Sequence, residues 1–343
     1  MRIEKITLNS ERNVELTAFI QKVGGEFNKL TKRPGILILP GGGYRMCSDR
    51  EAEPVALAYA KAGYQAFVLR YSVGEHGAWP NPLTDYEQAI TLIRKSSDKW
   101  HVYEDKIAVI GFSAGGHLAA CAATMSEYRP NACLLGYAVL SQESSEMCQP
   151  GMPNPTDHVD QDMCPTFMFG TRNDHIVPIQ DSIEFQAALI NENISFESHI
   201  YAYGIHGFST GESSIAIGEL TDRALNWVPD SIGWLTDVFG EFLDGEMSKP
   251  KLQVKVNGNL EPFLSVDCTI AHLKQQGKKV QELIDSLFDN LAELVDQDKK
   301  KLIDSNPFLD KLPLRDYLRS LEVNTTFIDI IDADLNRIQN QCY

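Results

Sequence analysis

The sequence predicts an α/β fold in which a mostly parallel sheet carries helices on both faces. Three observations lead to this prediction. Short apolar runs alternate with segments of helical periodicity throughout residues 1–245. The apolar runs are continuous, which is typical of strands that are buried on both faces. The helical segments between them provide the long crossover connections that parallel strands require.

The individual elements follow from the same patterns. Residues 5–9 and 14–20 flank a short polar turn, which predicts an antiparallel hairpin at the sheet edge. Six further strands are predicted at residues 35–39, 65–69, 106–110, 132–135, 166–169 and 196–201. Helices are predicted at residues 53–61, 84–95, 114–125, 179–191 and 220–242.

Residue usage divides the chain near residue 245. Of the 24 glycines, only Gly258 and Gly277 lie beyond it. Residues 251–256 alternate like a strand, and apolar residues then recur at helical spacing over residues 280–294. We therefore predict an α/β domain at residues 1–245 and a small, mainly helical module at residues 246–343. The module carries no cluster of chemically active residue types, so we interpret it as a structural appendage or a contact between copies in a homo-oligomer.

Composition excludes several classes of partner. The chain has 47 acidic against 31 basic residues, a formal charge of −16, which repels phosphate backbones and anionic lipids. We expect neither nucleic acid nor membrane as a partner, and a small molecule instead. The N-terminus lacks the features of a signal peptide, which favours a cytoplasmic protein. The seven cysteines form no metal-binding pattern, and we expect no metal and no cofactor.

The sharpest local signal is a G-x-S-x-G pattern, formed by Gly111, Ser113 and Gly115, between a predicted strand and a predicted helix. A strand that turns abruptly into a helix exposes one side chain, and glycines on both sides remove the Cβ atoms that would clash. Ser113 then lies at a helix N-terminus, where free N–H groups favour developing negative charge. These features predict a nucleophilic serine.

A serine nucleophile needs a general base and an acid that orients the base. Asp174 directly follows the predicted strand at residues 166–169, and His206 follows the next strand between two glycines. The carboxyl ends of parallel strands meet at one sheet edge, where such sheets hold their sites. The order Ser113, Asp174, His206 is the chain order of this architecture. We therefore predict His206 as the base and Asp174 as its partner.

A glycine triplet provides the remaining part of the predicted site. Gly41, Gly42 and Gly43 follow an early strand, and their backbone N–H groups can face a substrate oxygen. The N–H of Ala114 is the second predicted oxyanion donor. Tyr44 adjoins the triplet, and we predict that its ring lines the substrate pocket.

At these residues the chain resembles the α/β-hydrolase superfamily, and within it the acetyl-xylan-esterase-like branch, also described as xylanase-B-like lipases and esterases. The likeness extends over most of residues 30–242. Its specific segments are residues 40–44, 50–56, 63–71, 111–119, 174–178 and 206–207.

The resemblance implies a triad of Ser113, His206 and Asp174. It further implies that the N–H groups around Gly42, Gly43 and Ala114 hold the oxyanion. Relatives of this kind remove acetyl or other short acyl groups from sugars and small alcohols, without metal or organic cofactor. The implied protein is a serine carboxylesterase with a small-molecule ester substrate.

Two alternatives remain open at the level of sequence. A peptidase or a thioesterase would use the same triad. A protein of a different class would bind a partner through its helical tail and use the hydrolase fold only as a scaffold.

Overall fold

The computed structural model describes residues 1–215 and 218–341, and it leaves out the side chains of residues 292–294, among them Leu294 at the end of the predicted apolar stripe. The chain forms two compact units, Met1–Val254 and Lys255–Tyr343. Residues 246–254, which the sequence analysis assigned to the C-terminal module, belong to the first unit.

The first unit is built on one eight-stranded sheet. Its strands in chain order are β1 (Arg2–Asn9), β2 (Val14–Ile20), β3 (Arg33–Leu39), β4 (Gln65–Arg70), β5 (Val102–Phe112), β6 (Ala132–Gly136), β7 (Thr166–Thr171) and β8 (Phe196–Tyr201). In space they follow the order β1-β2-β4-β3-β5-β6-β7-β8. The first two strands pair in antiparallel fashion at one edge, and β3 to β8 are parallel. The predicted edge hairpin and mostly parallel sheet are confirmed.

Helices cover both faces of this sheet. They are α1 (Glu53–Lys61), α2 (Asn81–Lys95), α3 (Ser97–Trp100), α4 (Ala114–Thr124), α5 (Gln142–Cys148), α6 (Ile179–Asn191) and α7 (Trp227–Phe239). Residues of α1 and α7 are buried on one face, whereas α2, α4 and α6 are buried on the other. The sequence predicts two faces because successive strand residues point in opposite directions. In β3, for example, Ile36 and Ile38 join one core and Leu37 and Leu39 the other.

Two predicted elements differ in the structure. The long helix predicted at residues 220–242 is a 3₁₀ turn at Asp222–Asn226 followed by α7. Residues 251–256 are not among the described strands. Instead, the N–H groups of Lys251 and Leu252 both bond to the carbonyl of Asp237 in α7, and the carbonyl of Val254 accepts from Ser195. Hydrogen bonds to α7 and to the residue before β8 thus replace a partner strand for residues 251–254.

The second unit has its own apolar core. Its helices are α8 (Ile270–Gln275), α9 (Lys278–Leu294), α10 (Gln297–Asp304), α11 (Leu314–Ser320) and α12 (Thr325–Leu335). Val280, Leu287 and Leu291 of the predicted apolar stripe are buried in that core, as their helical spacing predicts. Leu283, which the sequence analysis also placed in the stripe, is 38% exposed, and Ile284 is buried in its place. Across the described parts of both units, no helix has the length and apolar character that a membrane crossing requires.

Candidate active site

Each predicted site residue follows a strand of the parallel part of the sheet. The glycine triplet follows β3, Ser113 follows β5, Asp174 follows β7 and His206 follows β8. Because these strands run in the same direction, their carboxyl ends share one edge of the sheet. The topology therefore collects residues from distant parts of the sequence at one place.

Ser113 occupies the sharp turn between β5 and α4. Its backbone has φ 53° and ψ −120°, a conformation that L-residues rarely adopt and that costs about 1–3 kcal/mol. Three hydrogen bonds hold it: its N–H donates to Gly136 at 3.0 Å, and its carbonyl accepts from His117 at 3.0 Å and Val139 at 3.2 Å. A Cβ at Gly111 would clash with the carbonyl of Gly115, so the first glycine of the motif is required by close packing.

A continuous hydrogen-bonded chain joins the three predicted triad residues. The Oγ of Ser113 lies 2.9 Å from Nε2 of His206, and Nδ1 of His206 lies 2.7 Å from Oδ2 of Asp174. Both distances suit strong hydrogen bonds. The contact to Asp174 fixes the imidazole tautomer, with the proton on Nδ1 and a free electron pair on Nε2 facing the serine.

The environment of Asp174 keeps its carboxylate ionised. Burial alone would raise the pKa of this side chain, but the hydrogen bond and the charge of His206 lower it, as do the backbone N–H groups of Val177 and Ile176. Those two N–H groups donate to Oδ1 at 3.0 and 2.8 Å. The net effect is a lowered pKa, so the second oxygen remains an acceptor for the imidazole.

The glycine triplet is held by a buried carboxylate. The N–H of Gly41 donates to Oε2 of Glu51 at 2.8 Å, and the carbonyl of Gly42 accepts from Arg45 and Met46. Gly42 has φ 132°, and a Cβ there would clash with the carbonyl of Met46. The loop can adopt this path only because the residue is glycine.

Glu51 also connects this loop to the segment that carries the histidine. Its Oε1 accepts from the hydroxyl of Tyr137 at 2.7 Å, and the same hydroxyl accepts from the N–H of Ser209 at 3.0 Å. Burial raises the pKa of Glu51, and the bonds from Tyr137 and Gly41 oppose that rise. Sequence reasoning missed this residue. It lies within segment 50–56 of the resemblance, but nothing in the local sequence shows which groups it contacts.

The predicted oxyanion donors lie next to the serine. Gly42 and Gly43 line the same cavity as Ser113 and His206. Ala114 is the first residue of α4, where backbone N–H groups have no partner within the helix. Gly43 has φ 61°, and a Cβ there would have open space around it. The roles of these three residues as donors stay predictions.

The structure corrects the prediction for Tyr44. Its ring does not reach the cavity: the side chain is 1% exposed and packs edge-on against Tyr71 and His117. The Tyr44 hydroxyl lies 2.7 Å from Nδ1 of His117, whose Nε2 lies 2.8 Å from the carbonyl of Pro153. Tyr44 thus anchors the end of the glycine loop to α4, through the buried side chain of His117.

The cavity beside Ser113 has a volume of about 360 Å³. Its apolar lining residues are Met46, Val139, Met147, Cys148, Ile176 and Val177. Ile176 and Val177 lie in segment 174–178 of the resemblance, whereas the sequence analysis did not assign the other four to the site. Met147 and Cys148 belong to the short helix α5, which follows β6. Within the described residues, no three His, Cys, Asp or Glu side chains come together as a metal site would require.

The buried His117 makes stability depend on pH. A neutral imidazole satisfies both contacts, since Nε2–H donates to Pro153 and Nδ1 accepts from Tyr44. Burial lowers its pKa from 6.5 to about 4. Below pH 6.5 the unfolded chain binds a proton that the folded chain excludes, so the contribution of His117 is complete above pH 6.5 and is lost as the pH falls towards 4.

We therefore expect the stability advantage of the wild type over His117→Gln to shrink by about 3 kcal/mol between pH 7 and pH 4. Urea unfolding of both proteins at pH 7 and at pH 4 measures this difference in the free energy of unfolding. Acid effects that the two proteins share cancel in the difference. A difference that stays constant over this range would show that His117 is not held in its neutral form.

Comparisons with known proteins agree with this architecture. The BD-FAE family model matches residues 26–146. Endo-1,4-beta-xylanase B of Butyrivibrio fibrisolvens is 30% identical over 222 residues, which cover 56% of this chain and 35% of the relative. Acetylxylan esterase of Xylanibacter ruminicola is 28% identical over 218 residues, which cover 56% of this chain and 45% of the relative. The chain thus spans less than half the length of these two relatives.

The similarity to two solved structures extends over nearly the whole length of those proteins. An α/β-hydrolase enzyme from a Medee basin deep-sea metagenome library is 44% identical, with a TM-score of 0.65 over 69% of this chain and 98% of that one. An acetyl ester-xyloside bifunctional hydrolase from Caldicellulosiruptor lactoaceticus is 26% identical, with a TM-score of 0.60 over 69% and 96%. The mostly parallel sheet and the order of the site segments along the chain agree with these similarities. The chain belongs to the α/β-hydrolase family.

Proposed function

We propose that this protein is a serine carboxylesterase that removes short acyl groups, acetyl above all, from esters of carbohydrates. One observation carries the proposal: Ser113, His206 and Asp174 form an unbroken hydrogen-bonded chain beside a cavity. A serine linked in this way to an imidazole and a carboxylate is equipped for acyl transfer.

The first half of the reaction forms an acyl-enzyme. Nε2 of His206 takes the proton of Ser113 while the Oγ attacks the ester carbonyl carbon. As the tetrahedral intermediate collapses, the bond from that carbon to the alcohol oxygen breaks, and the imidazolium gives its proton to the departing alcohol. Asp174 stabilises the imidazolium, because its carboxylate stays ionised.

The second half repeats these steps with water. His206 takes a proton from the water as it attacks the acyl carbon, and Ser113 leaves with that proton. In both halves the carbonyl oxygen becomes negatively charged, and we assign its stabilisation to the N–H groups of Gly42, Gly43 and Ala114. Each such donor is worth about 10²- to 10³-fold in turnover.

Size and chemistry of the cavity support a short acyl group. A volume of about 360 Å³ lies at the lower end of the range for ligand cavities. Met46, Val139 and Met147 line it with apolar atoms, which suit the methyl of an acetyl group. Relatives named acetylxylan esterase and acetyl ester-xyloside hydrolase support acetylated sugars as substrates.

Covalent labelling tests the nucleophile. A fluorophosphonate probe should label the wild type at Ser113 and fail to label Ser113→Ala, because only an activated serine attacks the phosphorus. Ser113→Ala should also lose about 10⁴-fold or more of its turnover of acetyl esters. Mass spectrometry of the labelled peptide identifies the site.

A panel of acetyl esters, acyl thioesters and aminoacyl amides then separates the esterase from a peptidase or thioesterase. We expect acetyl esters to be turned over fastest. Labelling of Ser113→Ala at another serine, or a preference for amides, would contradict the proposal.

A second test concerns Glu51, which we assign as a positioning residue for the glycine loop. Glu51→Ala leaves the buried N–H of Gly41 and the hydroxyl of Tyr137 without their acceptor. The loop then loses its fixed position, and we expect kcat to fall about 10- to 100-fold while KM changes little. Binding of a trifluoromethyl ketone, which forms a tetrahedral adduct, should weaken in parallel.

Glu51→Gln retains one carbonyl oxygen and should recover part of the loss. Glu53→Ala is the matched control, because this nearby glutamate is 40% exposed and pairs with Arg70. We expect it to retain wild-type kcat and inhibitor binding. Equal losses in kcat and stability for both alanine variants, with inhibitor binding unchanged, would refute the positioning role.

A further inference from the structure

The segment that follows His206 has a backbone that must be held from outside. Gly207 has φ 75° and Ser209 has φ 51°, so two of the three residues after the histidine lie in the left-handed region. An L-residue such as Ser209 stays in this region only where its surroundings fix it. Ser209 is fully buried, which agrees with such support. The contacts of this segment therefore decide where the imidazole lies.

Arg50 contacts the segment at two points. Nη1 of its guanidinium donates to the carbonyl of Gly207 at 3.2 Å. Its main-chain carbonyl accepts from the hydroxyl of Ser209. The two contacts lie one and three residues beyond His206, on either side of Phe208. A single residue from the segment after the glycine loop thus fixes both ends of the turn that follows the histidine.

We propose that Arg50 is a positioning residue for His206, and that it holds the imidazole where it protonates the alcohol that leaves. The inference rests on the proposed esterase function. It assigns to Arg50 a role in proton transfer, whereas Glu51 fixes the glycine loop on which the oxyanion forms.

The guanidinium of Arg50 is directed to the main chain rather than to a carboxylate. Arg129, for comparison, is also half-buried and donates to both oxygens of Asp160. Among the residues that the structure describes, no Asp or Glu forms an ion pair with Arg50, and its guanidinium donates to Gly207 instead. A hydrogen bond from an ionised donor is stronger than one between neutral groups. This contact is therefore suited to fixing the carbonyl next to the histidine.

Ser209 connects the same segment to the core of the first unit. Its N–H donates to the hydroxyl of Tyr137 at 3.0 Å, and its carbonyl accepts from Nε1 of Trp227 at 2.9 Å. Trp227 begins α7 and stacks on Phe169 of β7, with ring centroids 4.2 Å apart. With its hydroxyl bonded to Arg50, each polar group of Ser209 has a partner. The turn after the histidine is therefore held between Arg50 and the core.

The leaving alcohol reveals whether the imidazole is in place. His206 acts as a base towards Ser113 with any ester, but an alkoxide leaves only when the imidazolium protonates it. A nitrophenolate is a stable anion and departs without that proton. A misplaced imidazole therefore costs more with an alkyl ester than with a nitrophenyl ester. A general loss of structure, or weaker stabilisation of the oxyanion, costs the same factor with both.

Arg50→Met removes the guanidinium and retains an unbranched side chain. The value of kcat/KM, which reports formation of the acyl-enzyme, is measured for ethyl acetate and for 4-nitrophenyl acetate. We expect kcat/KM to fall about 100-fold for ethyl acetate and about tenfold for 4-nitrophenyl acetate. The ratio of the two values thus changes about tenfold, whereas a purely structural role would leave that ratio unchanged.

Ser209→Ala tests the second contact and leaves the charge of Arg50 beside Glu51 in place. We expect the ratio to change in the same direction, by about threefold. Ser195→Ala is the matched control. Ser195 directly precedes β8, is 7% exposed, and its hydroxyl also donates to a main-chain carbonyl, that of Gln253 at 2.6 Å. This variant loses a bond of the same kind and should keep wild-type rates with both esters.

An unchanged ratio in Arg50→Met or in Ser209→Ala would overturn the proposal. In the second case, a loss in Arg50→Met would come from its charge next to Glu51 and not from contact with the histidine segment. If urea unfolding shows that Arg50→Met does not fold, the ratio in Ser209→Ala decides alone. Each of these results leaves the esterase function standing, because the wild type still hydrolyses both esters. A wild type that hydrolyses neither ester instead refutes the proposed function itself.

Discussion

The strained backbone of Ser113 is the constraint on which the rest of the site depends. The chain must leave β5 and enter α4 within one residue, and this holds the serine at φ 53°. Gly111 and Gly115 permit the turn because a Cβ on either would clash with a backbone carbonyl, of Gly115 and of Leu39 respectively. Strain of this kind persists only where the surrounding structure fixes it. Here the neighbouring strand β6 does so, through the carbonyl of Gly136.

Around this turn, side chains far apart in sequence fix the other parts of the site. Asp174 orients His206 from one side. Glu51 ties the glycine loop to Tyr137, and Tyr137 in turn holds Ser209 in the segment after the histidine. The histidine and the loop are therefore positioned by one buried network. Acyl transfer needs His206 and the glycine loop in place at the same time, so the network supports catalysis as well as the fold.

Much of this arrangement could be predicted from the sequence. The continuous apolar strands indicate the fold. Gly111 and Gly115 indicate the sharp turn that carries Ser113. Strand ends indicate where Asp174 and His206 lie, because parallel strands share one carboxyl edge.

Side-chain direction could not be predicted in the same way. Tyr44 adjoins the glycine loop in sequence, yet its backbone has φ 56° and its ring is buried. Glu51 and Tyr137 are 86 residues apart, so only the folded chain shows that they meet. Residues 251–256 alternate like a strand, but residues 251 and 252 bond to Asp237 of α7 and residue 254 bonds to Ser195, and local periodicity carries no information about these partners.

The most direct test of the account is to trap the intermediate on Ser113. The wild type would be mixed with an acetyl ester, quenched in acid within one turnover and digested for mass spectrometry. The account predicts one added acetyl group on the peptide that contains Ser113, and none in Ser113→Ala. An ester hydrolysed at the full rate without any acetylated serine, or with the acetyl group on another residue, would contradict it.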